Sequence, residues 1–369
     1  MSVVSEQLSI GLRWLGEQRR IVCALLIDAE GSSPFQPGAF MLVDADGAIE
    51  GSITGGCVES DVVVNALEML TGDGAPRTLR YGVSDEAAHE VGLMCGGTVH
   101  IFVHELAGDA LAVCAEAFAA ASQELPAGIA TLVDGPQAGA KLGVVEGRVI
   151  GGLHGPELLD QSVARDLTAL SERGTSALRH YGHSGEALGS GLSVHLQVFR
   201  TPPTLVLIGA IDYSMAVAAL AGQAGYQVVI ADAREAFARS ERFSRVATVH
   251  IGWPAPAIDE RELGPRDAVI VFSHDPKFDE PAILAALRSA AGYIGALGSR
   301  RTATDRSARL LAAGADAASL ARVHSPCGLD IGAATPEEVA ISIMAEVIAA
   351  RSGRAGEPLV STESSIRPR

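Results

Sequence analysis

Lysine is nearly missing from this chain: among 369 residues it occurs only at Lys141 and Lys277, so arginine supplies almost all of the positive charge. Positive charge is itself scarce, with 28 basic against 44 acidic side chains. The resulting formal net charge of −16 argues against a nucleic-acid partner, because binding to phosphates without regard to sequence needs a basic surface. An anionic ligand must therefore be held by a local cluster. The five cysteines, Cys23, Cys57, Cys95, Cys114 and Cys327, are odd in number, widely spaced and without a CxxC pair, which excludes a disulfide framework or a structural zinc site and leaves reduced thiols. No apolar run approaches the roughly 20 residues of a membrane-spanning helix. The N-terminus carries Glu6 and no basic segment ahead of an apolar stretch, so no membrane partner is expected and the location reads as cytoplasmic. Aromatic residues make up only 4%.

What the chain does have is alanine, valine and glycine. A hydrophobic content of 48% and 41 glycines describe an α/β protein long enough for roughly two to three domains. Residues 3–18 carry Val4, Leu8, Leu12 and Leu15 at helical spacing, and the apolar strand Ile21–Ile27 follows. Asp44-Ala45-Asp46-Gly47 forms the turn of a hairpin between Ala39–Val43 and Ala48–Ser52. From Cys57 to Leu70 the spacing is helical, and Thr98–Val103 reads as a strand. Between 108 and 203 the pattern gives a helix at Asp109–Ala121, strands near Ile129–Val133 and Val144–Ile150, a helix at Pro156–Leu170 and a strand at Ser193–Phe199. No chemistry is legible there. Thr201-Pro202-Pro203 is a stiff break. Beyond it, strands at Thr204–Ile208, Gln227–Ala231, Ala268–Phe272 and Tyr293–Leu297 alternate with helical stretches at 213–224, 279–290, 301–313 and 336–350, the rhythm of a parallel sheet with right-handed crossovers. The expected organisation is an N-terminal mixed α/β domain (1–107), a middle α/β segment and linker (108–203), a Rossmann-like domain (204–351) and a disordered tail (352–369).

The chemistry-bearing features are two cysteines bracketed by glycines, Gly55-Gly56-Cys57-Val58-Glu59 and Cys95-Gly96-Gly97. Glycines beside a thiol let a bulky group approach it, and a helix N-terminus near Cys57 favours thiolate over thiol. In the second half Gly209-Ala210-Ile211-Asp212 stands where a dinucleotide-binding G-x-G-x-x-G would be, and Asp232 closes the next strand. Ile211 replaces the second glycine and obstructs a pyrophosphate, while Asp212 places negative charge where phosphate would bind. Both stand against NAD(P). Asp232 is placed either to hold a ribose hydroxyl or to pair with Arg234. His274-Asp275 follows a strand and could be an acid-base pair or a strand cap. Arg300 and Arg301 open a helix, where backbone amides and guanidinium groups together suit an anion.

These blocks resemble the xanthine dehydrogenase accessory (XdhC/CoxI) family. In the first half the resemblance rests on Gly31-Ser32-Ser33-Pro34, Pro37-Gly38-Ala39, Gly55–Glu59 and Cys95-Gly96-Gly97. In the second half it rests on Thr204–Gly209, Asp232-Ala233-Arg234, His274-Asp275-Pro276, Gly295–Arg301 and Gly328–Gly332 through Ala345-Glu346. It implies a factor that binds molybdenum cofactor (molybdopterin), supports its sulfuration with a cysteine desulfurase and delivers it to an apo molybdenum hydroxylase. On that reading Cys57, or Cys95, is a soft ligand able to hold molybdenum, with Gly55 and Gly56 giving access. The pterin phosphate and oxygens meet Arg300, Arg301 or the Ser32-Ser33 loop, and Glu59 either bonds the pterin or complements the helix dipole. His274, Asp275, Gly209 and Asp232 complete the cofactor-binding set. Ile211 and Asp212 depart from the family's more glycine-rich turn. The chain reads as a maturation protein rather than a catalyst; the alternatives are an NAD(P)-dependent oxidoreductase or a Rossmann-fold docking platform. A homodimer is compatible with the fold.

Overall fold

The structure, a computed structural model, describes residues 3–31, 33, 35–56, 58–72, 74–82, 97–187, 189–239 and 241–362. The chain divides after Thr201 into two compact units. The N-terminal unit opens with α1 (Val3–Gly16), β1 (Ile21–Glu30), β2 (Phe40–Asp44), β3 (Ile49–Gly51), α2 (Glu59–Thr71), β4 (Arg77–Tyr81) and β5 (Thr98–Glu105). These strands form an antiparallel sheet in the order β3-β2-β1-β5-β4. The hairpin at Asp46-Gly47 forms as read, with Gly47 at φ +81°. Then α3 (Asp109–Ser122), β6 (Ala127–Leu132), β7 (Lys141–Val145), β8 (Arg148–Gly152), α4 (Glu157–Arg173), β9 (Ala177–Tyr181) and β10 (Leu192–Phe199) repeat the same succession. Their sheet runs β8-β7-β6-β10-β9, the same strand order moved on by five.

The first 200 residues are thus two copies of one α-β-β-β-α-β-β module. An echo survives in the sequence: Tyr81-Gly82-Val83-Ser84-Asp85-Glu86-Ala87 and Tyr181-Gly182-His183-Ser184-Gly185-Glu186-Ala187 lie a hundred residues apart. The stretch Val144–Ile150, read as one strand, is corrected to a hairpin, because Glu146-Gly147 takes positive φ values of +48° and +80° between β7 and β8. Apolar side chains from both sheets and from α3 merge in one core that includes Leu25, Phe40, Phe102, Phe118, Ile129 and Phe199. Burial on this scale stabilises each large side chain by about 1.5–3 kcal/mol.

The C-terminal unit contains β11 (Thr204–Ile208), α5 (Asp212–Gln223), β12 (Gln227–Asp232), α6 (Glu235–Ala238), α7 (Glu241–Ser244), β13 (Thr248–Ile251), α8 (Pro254–Asp259) and β14 (Ala268–Val271). It continues with α9 (Pro276–Arg288), β15 (Tyr293–Ala296), α10 (Arg300–Ala312), α11 (Ala317–Leu320), β16 (Val323–His324) and α12 (Pro336–Arg351). All strand pairings are parallel, in the order β13-β12-β11-β14-β15-β16. That is the doubly wound Rossmann arrangement, with helices covering both faces. Past α12 the chain makes one 3-10 turn at Leu359–Ser361, within the segment read as a disordered tail. No helix among the described residues is long and apolar enough to cross a membrane.

Candidate functional site

In the N-terminal unit the organising residue is Glu59, the first residue of α2. Its Oε1 accepts from Ser52 Oγ (2.7 Å) and from the N–H groups of Ile53 (3.2 Å), Thr54 (2.8 Å) and Gly55 (2.9 Å). Its Oε2 accepts from Thr54 Oγ1 (2.6 Å), Gly56 N–H (2.9 Å) and Val58 N–H (3.2 Å). A backbone that curls around one carboxylate in this way forms an anion nest. Gly55 and Gly56, at φ +82° and +111°, supply the left-handed turns that other residues adopt only under strain. Burial alone would raise the Glu59 carboxyl; the hydrogen bonds from Thr54, Ser52 and the backbone outweigh it and hold it down at about 2. Glu59 is therefore ionised and fully engaged with the loop. Among the described residues a side chain at Gly56 would meet nothing within 4 Å, and one at Gly55 only the ring edge of Phe35 at 3.4 Å.

Cys57, Cys95 and Ser32 lie outside the described residues. Ser33 is buried and donates to the Phe35 carbonyl at 2.9 Å. The described flanks of the Cys95 segment are informative: β4 ends and β5 begins side by side, with Tyr81 opposite Val99. The Tyr81 hydroxyl donates to Asp61 Oδ2 in the first turn of α2 at 2.5 Å. The chain on either side of residues 83–96 thus borders the end of α2 that follows Cys57.

In the C-terminal unit the ligand side of a Rossmann sheet is the carboxyl edge of its strands. There Gly209 takes φ +106°, and a side chain at this position would meet Ser273 N at 3.4 Å and Phe272 at 3.7 Å. Asp232 is 4% exposed and pairs with Arg234. Its carboxylate accepts from Arg234 Nε (3.0 Å), Nη2 (2.7 Å) and N–H (2.8 Å), and from Ala210 N–H (2.8 Å). A small, partly open crevice at this edge is lined by Gly209, Asp232, Arg234, Ser273 and Phe278. Ile211 packs into the core beneath the turn, and Asp212 is paired with Arg242 at 2.7 Å.

His274 and Asp275 are both exposed. Asp275 caps α9 and is occupied by Lys277, through its backbone N–H (3.2 Å) and its ammonium (3.1 Å). Arg300 and Arg301 are the exposed first residues of α10, whose cap is Ser299. Neither arginine takes part in an ion pair among the described residues.

Two buried side chains that sequence reasoning missed hold these loops. Arg306 and Asp279, each 1% exposed, pair at 3.3 Å, and Arg306 also donates to Leu297 O (3.0 Å) and Ser325 Oγ (2.9 Å). One guanidinium thereby joins α9, the end of β15 and the loop after β16. On α12, Glu346 accepts from Tyr293 Oη (2.6 Å) and Gly328 N–H (2.6 Å) and faces His324 Nδ1 at 2.8 Å. Nothing in the local sequence marks Arg306; an arginine at an apolar helix position is the only hint.

Two family models match the chain, one described as the XdhC and CoxI family over residues 14–82 and one as the XdhC Rossmann domain over residues 205–347. The chain belongs to this family, that of the xanthine dehydrogenase accessory proteins. Over 341 residues it is 29% identical to a Bacillus subtilis protein named as a probable xanthine dehydrogenase component, covering 91% of this chain and 95% of that one. It is 26% identical over 330 residues to the Escherichia coli molybdenum cofactor insertion chaperone PaoD, covering 89% and 83%. A solved Bacillus halodurans structure named as a xanthine dehydrogenase shares the fold over 99% of both chains, with a TM-score of 0.69 at 22% identity.

Proposed function

We propose that the protein is a maturation factor for a molybdenum hydroxylase of the xanthine dehydrogenase type, carrying molybdenum cofactor as cargo. The relationship to a chaperone named for inserting that cofactor supports the maturation role. The observation that carries the reading is the Glu59 nest: a dedicated carboxylate fixes an exposed glycine loop just before and after Cys57, a costly arrangement for a loop with no ligand. A thiolate is a soft donor suited to molybdenum, and no described residue crowds Gly56, which favours access by a large pterin. Cys95 is the second candidate, because its flanking strands border the same end of α2.

On this reading Glu59 is a positioning residue and does not itself touch the cargo. The Ser32-Ser33 loop is a further contact on the N-terminal unit; on the C-terminal unit, taken by itself, Arg300 and Arg301 with the His274-Asp275 loop and the Gly209 turn are the candidates for a pterin phosphate and oxygens. Asp232 contributes by holding Arg234. Sulfuration with a cysteine desulfurase and hand-over to the apo-enzyme, in the cytoplasm, complete the role. The docking surfaces and a homodimer belong to the same proposal.

The test is to purify the full chain anaerobically from a host that makes molybdenum cofactor, and to quantify molybdenum and oxidised-pterin fluorescence per chain for wild type and Cys57→Ala. Near-stoichiometric cargo, reduced at least tenfold in the variant, is the expected outcome. No cargo in wild type, even after addition of free cofactor, overturns the reading.

A further inference from the structure

The core of the N-terminal unit contains a polar centre that the proposed function does not use. Across the second sheet His195, Thr131 and Lys141 stand side by side on β10, β6 and β7. Across the first sheet His104, Cys23 and Leu42 occupy the corresponding places on β5, β1 and β2. Their neighbours along each strand, Phe102, Leu25, Ile129, Val145 and Phe199, belong to the one core shared by the two sheets. Both rows therefore point into the same layer. His104, His195 and Thr131 are 0% exposed and Lys141 4%. Lys141 Nζ donates to Thr131 Oγ1 at 2.7 Å, and among the described residues both ring nitrogens of both histidines have no hydrogen-bond partner. His104 packs over Gly139, whose missing side chain would stand 3.7 Å from its ring, two residues before Lys141.

A buried ammonium ordinarily faces a carboxylate, because burial of an unpaired charge is costly. Among the described residues none faces Lys141: the buried carboxylate of β2, Asp44, is committed to Arg19 and to the N–H groups of Asp46 and Ala48. Burial and the charge of Lys141 keep both imidazoles neutral, His195 down at about 3. Each neutral ring then has one N–H to give and one nitrogen to accept, and the ammonium has two N–H groups left. The centre is positive and richer in donors than acceptors. A bridging water brings as many donors as acceptors and leaves that surplus in place, whereas a monatomic anion accepts from every side and neutralises the charge.

We propose that this centre, Lys141 with His104 and His195, is an internal binding site for a small monovalent anion of chloride size. The anion is the counter-ion of Lys141 and ties the two repeated modules together across their shared core.

The test uses the full chain in chloride-free buffer. Thermal unfolding is followed while chloride replaces gluconate at constant ionic strength. The expected result is a saturable rise in Tm of about 5 °C, absent in Lys141→Met. A wild-type Tm indifferent to chloride, or a rise of equal size in the variant, overturns the proposal. Should Lys141→Met fail to fold, crystals of the wild-type chain grown in bromide decide the matter by anomalous scattering. A bromide peak against Lys141 Nζ and the two rings is expected; a water or nothing at that position overturns the proposal.

Discussion

Single side chains with every polar atom in use account for the shape of the candidate site. Glu59 is the clearest, and its charge matters because hydrogen bonds to an ionised acceptor are worth about 1.5–3 kcal/mol each before compensation. Glu59→Gln keeps the size but loses two good acceptor positions, and is expected to destabilise the N-terminal unit by about 2 kcal/mol, read by denaturant unfolding at pH 7. The group is held at about 2 against an ordinary 4.5, a lowered carboxylate. Its contribution is therefore fully present above pH 4.5 and is lost as pH falls from there towards 2. The wild type and Glu59→Gln should converge in stability across that window. Asp279 makes the opposite case. Both partners of its pair with Arg306 are 1% exposed, so Asp279→Ala leaves an uncompensated buried guanidinium and should cost about 3–5 kcal/mol. The double change Asp279→Leu with Arg306→Met should recover part of that loss in the same measurement. The thiols sort as cleanly. Cys23, Cys114 and Cys327 are buried, and burial pushes Cys23 and Cys327 up to about 12. Brief alkylation of the native protein near pH 7 should leave all three unlabelled until denaturant is added, as read by peptide mass spectrometry.

At the scale of elements, local sequence and structure agree wherever one periodicity dominates. The strand Ile21–Ile27, the Asp46-Gly47 hairpin, the helix after Cys57 and the alternation beyond Thr204 all form at or near the places their patterns indicate. The elements that pattern did not reveal are short or half exposed: β4 (Arg77–Tyr81) and β9 (Ala177–Tyr181) mix charged, polar and apolar residues on sheet edges, and β16 has two residues. Their strand character comes from a partner, not from composition. The glycine loop follows the same logic. Gly55→Ala and Gly56→Ala place a side chain at φ +82° and +111°, and each should cost about 1–2 kcal/mol and lower cargo retention together with stability. The pair between β16 and α12 supplies a further pH dependence. His324 is raised above 6.5 chiefly by its hydrogen bond to Glu346, so its contribution is complete below pH 6.5 and is lost as pH rises through the raised value. Titration of the His324 ring signals by NMR should show this, and Glu346→Gln should bring the midpoint back towards the ordinary value.

At the scale of the whole molecule, the acidic excess and the sequence pI of about 5.0 set behaviour rather than fold. Solubility should pass through a minimum near pH 5 and improve on either side. The two modules share one core between their sheets, and the six-stranded parallel sheet has a core on each face. The family was readable because its motifs are contiguous: glycine-bracketed cysteines and loops at strand ends are stretches of sequence. By itself the sequence determined the α/β class, the Rossmann rhythm and the two glycine-bracketed cysteine motifs, since each depends on neighbours along the chain. Only the tertiary structure decided that Glu59 serves the loop, that Asp232 pairs with Arg234, that Arg306 joins three elements, and that Lys141 and two histidines are buried in one layer of the core. Those pairings depend on how the chain folds back on itself, and their energies arise from burial and hydrogen-bond geometry that no local pattern encodes.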